Sequence, residues 1–406
     1  MPLLTSLLLL LVASRLLGEL MTRIKQPAVV GEIIAGVILG PAVLSLIAPT
    51  EALSAIAELA VFLVVLSAGL EMNFSEVVTA LKDKAVLVAA FGFLVPLFSG
   101  ILLGILFGLT ISQTVFLGLC FSITALPVAV RILEGMKLLD HPLSHDAIGT
   151  AIIIDVAALL ALGVILDLPD QKDFLSIASS IGETGGKMIF FAVLVFLFNK
   201  ALRWTQNHAD RVRIGVENVI HALGNEALFG VAVLFVLVFS SISESLGFHF
   251  VIGAFFGALL LNKDIFGSPL FHSLDHTLSS VTDGFLAPIF FAYIGLQFQA
   301  GELQSPLFVV LVIVVAIASK ILACSFAAKL TGMPKLRGAG IGMVLNSRGV
   351  MDLVVADIAL HRGFITKEIF SVLVLLGVVS TLLTPLLLKR FILPKLNDAP
   401  AEPSVS

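Results

Sequence analysis

Thirteen apolar runs follow one another along this chain, each near the roughly 20 residues that carry an α-helix through bilayer hydrocarbon. They lie at about 3–21, 27–47, 53–70, 85–108, 112–132, 147–166, 186–202, 226–246, 248–262, 281–298, 306–328, 338–360 and 369–388. Lipid gives backbone groups no partner, so such a chain must fold as helices that bond their own N–H and C=O groups. Hydrophobic residues make up 58% of the sequence and charged residues 13%, against about 25% charged in soluble domains. The fold class is therefore an all-α integral membrane protein with about 13 transmembrane helices. The first run, LLTSLLLLLVA, has no basic stretch before it and no small-residue cleavage site after it, so it reads as a span and not a signal peptide.

Charge sets the orientation. If the runs alternate across the membrane, one side holds most of the 24 Lys and Arg, and the other only Lys172, Arg362 and Lys367. The positive-inside rule then puts the N-terminus out and the C-terminus in. The basic stretch NKALRWTQNHADRVRIGVENVIHALG (199–224) reads either as an interfacial helix joining two halves or as a solvated linker. A net charge of −4 spread over loops points neither to nucleic acid nor to an acidic partner. Cys120 and Cys324 fall inside apolar runs and read as buried free thiols.

The sequence repeats itself. VGEIIAGVILG at 30–40 matches IGAFFGALLLN at 252–262, and AGLEMN at 68–73 matches IGLQFQ at 294–299, at offsets of 222 and 226. Runs 2 and 3 thus match runs 9 and 10, seven spans later, and an odd spacing inverts the second copy. The inverted repeats cover about 27–166 and 248–388. Such repeats mark secondary transporters, whose sites lie near the midplane between broken helices. The offset carries Thr124 into 346–350, and both places hold the most polar strings of their runs. One is FSITALPVAV, with Ser122, Thr124 and Pro127; the other is LNSRGVMDLV, with Asn346, Ser347, Arg348, Gly349 and Asp352. Pro127 removes a backbone donor and Gly349 weakens its helix. Such interruptions survive in a membrane only where protein or water satisfies the freed groups.

Asp155 stands alone in the run AIIIDVAALLALGVIL. An ionised Asp at that depth costs roughly 2.5–3.5 kcal/mol on insertion scales, so it is a functional residue by default. Burial disfavours its charged form, so a proton or a small cation could each neutralise it. Hydroxyls and carbonyls of two broken helices around it form the hard oxygen set that suits such a cation. Competition for one carboxylate is enough for exchange, because the bare charge would be held back by desolvation.

At these residues the chain resembles the monovalent cation:proton antiporter-2 family, which includes Kef-type potassium efflux proteins and plant and fungal cation/proton exchangers. The resemblance rests on KQPAVVGEIIAGVILGP, LVVLSAGLEMN, SITALPVAVRIL, IIIDVAALLAL, PIFFAYIGLQ, NSRGVMDLVVADIAL and VVSTLLTP. It implies a sodium/proton antiporter fold with crossed broken helices, a dimerisation domain and a mobile core that moves as an elevator. It implies exchange of sodium or potassium for protons, a homodimer, no cofactor, and a place in the bacterial cytoplasmic (inner) membrane. The family's core aspartate falls on Asp155 and its facing basic residue on Lys320, in IASKILAC. Two departures stand out: Ile154 occupies a position that is Asp, Asn or Gln in relatives, and no G-x-G-x-x-G follows the last run. The expected organisation is a transmembrane domain at 1–395 and a short disordered tail at 396–406, without a C-terminal nucleotide-binding domain.

The remaining candidates each carry two readings. Ser122, Thr124, Asn346 and Ser347 line a cation site or glue helices together. Lys320 is a structural partner of the backbone or of Asp155, or a titrating group that releases its own proton. Arg348 and Asp352, four apart, form an intrahelical pair, or Arg348 reaches a distant acid such as Glu226. Glu32 is a funnel acid that attracts cations or a snorkelling surface residue. His272 and His276 sit in a loop or interfacial helix without further metal ligands, and GETGGKM (182–188) lacks the spacing of a phosphate loop. No hydrolase motif occurs, so the chain is not expected to be an enzyme. The rival functions are a sodium-coupled symporter of an organic solute, which would want a larger polar cavity, and a channel.

Overall fold

Prolines and capping side chains decide where many of the helices begin and end in the computed structural model, which describes residues 1–70, 72, 85–138, 141–166, 174–206, 225–261, 268–303 and 305–394. Helix α1 (Leu3–Arg23) is followed by α2 (Ala28–Leu39), which opens after Pro27 and stops at Gly40 because Pro41 cannot continue it. Then come α3 (Glu51–Leu70) and α4 (Ala85–Leu106). Helix α5 (Ile111–Ser122) starts at a capping box in which Thr110 and Gln113 bond each other's backbone N–H. It is followed by α6 (Leu126–Gly135), α7 (Pro142–Leu166), α8 (Phe174–Gln206), α9 (Asn225–Ser245) and α10 (Phe250–Leu260). Helix α11 (Ser268–Val281) runs through a π-helical turn at Thr282–Leu286 into α12 (Ala287–Gln297). The chain closes with α13 (Pro306–Leu330), α14 (Lys335–Val344), α15 (Val350–His361) and α16 (Lys367–Leu387), which ends in a second π-helical turn, Leu388–Ile392.

Among the described residues nine helices are long and apolar enough to cross a membrane, and Ala28–Leu39, Ile111–Ser122 and Phe250–Leu260 are apolar but shorter. Large side chains such as Leu4, Phe98, Leu234 and Leu322 are more than half exposed, the arrangement of a protein solvated by lipid. This is an integral membrane protein.

The helices correct several sequence boundaries. The run at 27–47 is helical for only 12 residues and that at 248–262 for 11. The run at 281–298 belongs to a helix that starts earlier, at Ser268, so His272 and His276 lie within α11 and not in a loop. No group of three or more potential metal ligands occurs among the described residues. The runs at 112–132 and 338–360 are each divided at their polar strings, between α5 and α6 and between α14 and α15. The stretch 207–224 of the proposed interfacial helix, the tail at 396–406 and the side chain of Glu226 lie outside the described residues.

The chain divides into two units. One comprises Met1–Leu11, Pro49–Thr79 and Val156–Tyr293; the other comprises Val12–Ala48, Ala80–Asp155 and Ile294–Ser406. A close crossing recurs, once within each. A Cβ on Gly31 of α2 would stand 2.3 Å from the carbonyl oxygen of Leu17, and one on Gly253 of α10 would stand 2.3 Å from that of Phe239. Each glycine touches the residue 14 places before it, and the two crossings are 222 residues apart, the offset of the sequence repeat. Gly31→Ala and Gly253→Ala are each expected to lower stability by about 1–3 kcal/mol through overpacking. Gly230→Ala is the control, because nothing lies within 4 Å of its Cβ position. Thermal melting of the purified variants checks this, and equal melting of all three would refute it.

Candidate functional site

Three buried residues, Ile123 to Ala125, interrupt the first broken helix between α5 and α6. Five more, Leu345 to Gly349, interrupt the second between α14 and α15. The breaks touch: a Cβ on Gly349 would stand 2.7 Å from Val128 Cγ2 and 3.1 Å from Ala125 Cβ. Both breaks and every charged group described next belong to the second unit.

A break leaves carbonyls without donors at one helix end and N–H groups without acceptors at the next, with partial negative and positive charge respectively. The structure answers both. The ammonium of Lys320, on α13, donates to the carbonyls of Ser122 (2.5 Å) and Ile123 (2.9 Å). The guanidinium of Arg348 donates to the carbonyls of Cys120 and Phe121, the latter at 3.1 Å. Two cations thus cover the carboxyl end of α5. At the opposite poles stand carboxylates. Asp155 accepts the Thr124 hydroxyl at 2.7 Å and the backbone N–H of Leu126, the first residue of α6. Asp352 accepts the N–H of Gly349 at 2.8 Å and so caps α15. Lys320 is 0% exposed, Arg348 2%, Asp155 4% and Asp352 4%, so none of these charges can relax into solvent.

The geometry separates readings the sequence left open. Lys320 is held by the backbone, and Asp155 forms no ion pair among the described residues. Arg348 lies 3.8 Å from Asp352, but it stands in the break and not on α15, and its hydrogen bonds cross to α5. The expected intrahelical pair is therefore only part of its role. Glu32 is buried within α2 at 7% exposure, which is not a snorkelling surface position.

Ser122 and Asn346 act alike. The Ser122 hydroxyl contacts the carbonyls of Phe93 (2.7 Å) and Gly118 (3.1 Å), 29 and 4 residues back. The Asn346 amide reaches those of Ile317 (3.2 Å) and Gly342 (3.0 Å), again 29 and 4 residues back. The same clasp recurs at an offset of 224, tying α5 to α4 and α14 to α13. Ser347 bonds the Val344 carbonyl at 2.7 Å. The side chain of Pro127, the second residue of α6, lies outside the described residues. Asn346 Oδ1 is buried with no hydrogen-bond partner among the described residues.

One residue was not singled out from the sequence. Thr381, buried in α16, accepts the Arg348 N–H at 3.0 Å and donates to the Arg348 carbonyl at 2.8 Å. It serves the second break as Asp155 serves the first, and it stands 226 residues after Asp155, the larger offset of the repeat. Cys120 and Cys324 are buried free thiols.

The sequence model of a family described as "Sodium/hydrogen exchanger, transmembrane" matches residues 7–393. The chain is 29% identical over 386 residues to the probable Na(+)/H(+) antiporter GerT of Bacillus cereus, covering 95% of this chain and 98% of that one. It is 26% identical over 382 residues to the Na(+)/H(+)-K(+) antiporter GerN of the same organism, covering 94% of each. Among solved structures, the sodium proton antiporter MjNhaP1 of Methanocaldococcus jannaschii superposes with a TM-score of 0.67 over 95% of both chains, at 17% identity. That likeness extends to the fold.

Proposed function

The chain belongs to the transmembrane sodium/hydrogen exchanger family, and from that premise we propose how it exchanges ions. It is a monovalent cation/proton antiporter, a transporter and not an enzyme. In the proposed mechanism Asp155 binds either a proton or a sodium or potassium ion, with Thr124 as a neighbouring oxygen ligand. The core crosses the membrane barrier, elevator-fashion, only when that carboxylate is neutralised.

The single observation that carries this reading is the wiring of Asp155. Its cationic neighbour is bonded to carbonyls, so the negative charge is left for the transported ligand to cancel. Desolvation penalises the bare carboxylate, suppresses the empty return and couples the two fluxes. The glycine crossing that recurs at an offset of 222 and the clasp that recurs at 224 support two repeats; the N-out, C-in arrangement of about 13 spans rests on the Lys and Arg asymmetry. Ser122, Asn346, Ser347, Gly349 and Asp352 hold the crossing in shape, and Glu32 is a funnel acid within α2. The native assembly is a homodimer in a bacterial cytoplasmic membrane.

With Ile154 unable to ionise beside Asp155, one carboxylate carries both ligands, so exchange is one cation for one proton. Acid-loaded proteoliposomes with a pH dye test this: sodium or potassium, but not choline, should dequench the dye, and an imposed voltage should leave the rate unchanged. A rate that follows voltage would overturn the stoichiometry. No response to either cation would overturn the exchange reading.

A further inference from the structure

At the ends of four helices the second unit forms an open cavity of about 370 Å³ whose described lining includes none of the residues of the broken-helix crossing. Thr22 and Lys25 line it from the end of α1, Gln26, Pro27 and Ala28 from the start of α2, Ile132 and Met136 from the end of α6, and Pro385 and Lys389 from the end of α16. Its polar lining is one-sided. Two ammonium groups, a hydroxyl and an amide face it, with no carboxylate among the described lining residues. Gln26 Oε1 has no hydrogen-bond partner among the described residues, and a flip of the amide would turn its N–H groups to that place. Pro27 gives the first turn of α2 no side-chain cap, and Ala28 at that turn lines the cavity, which leaves backbone N–H groups to a ligand.

We propose that this cavity binds the phosphate of an anionic ligand, a phospholipid headgroup or a free phosphate compound, between Lys25 and Lys389. Lysines 25 and 389 come from opposite ends of the chain, yet both line this one cavity. Lysine binds phosphate as a point charge, and basic pockets between transmembrane helices are headgroup sites. The position suits a headgroup: every lining element contributes a terminus, the level at which lipid phosphates lie. Occupancy also bears on α6, whose first N–H bonds Asp155.

The test reads binding without transport, so it stands whether or not the chain exchanges ions. Thermal melting of the detergent-purified protein is followed against added phosphatidylglycerol, phosphatidylcholine or inorganic phosphate, in wild type and in the Lys25→Gly, Lys389→Ala double variant. Lys25 holds a left-handed φ of 60°, which glycine adopts without strain, so the variant is expected to fold. Phosphatidylglycerol or phosphate should raise the wild-type melting temperature at a concentration at least tenfold lower than in the variant, while phosphatidylcholine does neither. A response to phosphatidylglycerol alone identifies a lipid headgroup, and a response to phosphate identifies a soluble ligand. Equal responses of variant and wild type, or none in either, would overturn the proposal.

Discussion

Asp155→Asn is expected to abolish cation-driven proton movement while leaving the helices folded. The fold should survive because asparagine can keep both bonds at the first break: its carbonyl oxygen accepts the Leu126 N–H, and the Thr124 hydroxyl rotates from donor to acceptor. The chemistry cannot survive, since an amide carries no exchangeable charge, so neither a proton nor a cation changes the state of the site. Dequenching in acid-loaded proteoliposomes should fall to that of empty vesicles, with melting close to wild type. The wild type provides a second check. A proton on Asp155 excludes the cation, so the apparent KM for sodium or potassium should rise as the pH is lowered and fall as it is raised, with little change in maximal rate. Exchange that persists in the variant would shift the carrier role elsewhere. Asp352, the other buried carboxylate at the crossing, would be next to test as Asp352→Asn.

The candidate site was legible in the sequence wherever a polar residue interrupts an apolar run. Asp155, Thr124 and the string from Asn346 to Gly349 stand out because membrane helices have no use for such residues without partners. The repeat offset could be read too, and extending it from Asp155 would have led to Thr381. What could not be read is where the cations go. Lys320 and Arg348 bond backbone carbonyls 197 to 228 residues away in the chain, and a carbonyl has no signature in sequence. The i, i+4 spacing did find the pair of Arg348 with Asp352 at 3.8 Å, but it could not show that Arg348 stands before α15, which begins only at Val350, and bonds across to α5. Helix lengths went wrong at 27–47 for a related reason: hydrophobicity continues past Pro41, but hydrogen bonding cannot.

These carbonyl bonds make the role of Lys320 decidable. Lys320→Met keeps the length and apolar stem of the side chain but leaves the Ser122 and Ile123 carbonyls without donors. It also removes a positive charge from the negative end of α5. Hydrogen bonds from a charged donor contribute about 1.5–3 kcal/mol each, and relief from burying an ammonium offsets part of that loss. A net destabilisation of about 2 kcal/mol is expected, read as a lower melting temperature than wild type. Because Asp155 remains the only carrier in this mechanism, whatever protein stays folded should still exchange one cation for one proton with no current. A titrating Lys320 predicts a different electrical result. The wild type would release the lysine proton as well as the Asp155 proton for each cation and so carry current, and replacing the lysine would abolish that current. The carbonyl bonds are lost in either case, so current measured on wild type and variant distinguishes a lysine that only holds the broken helix from a lysine that takes part in exchange.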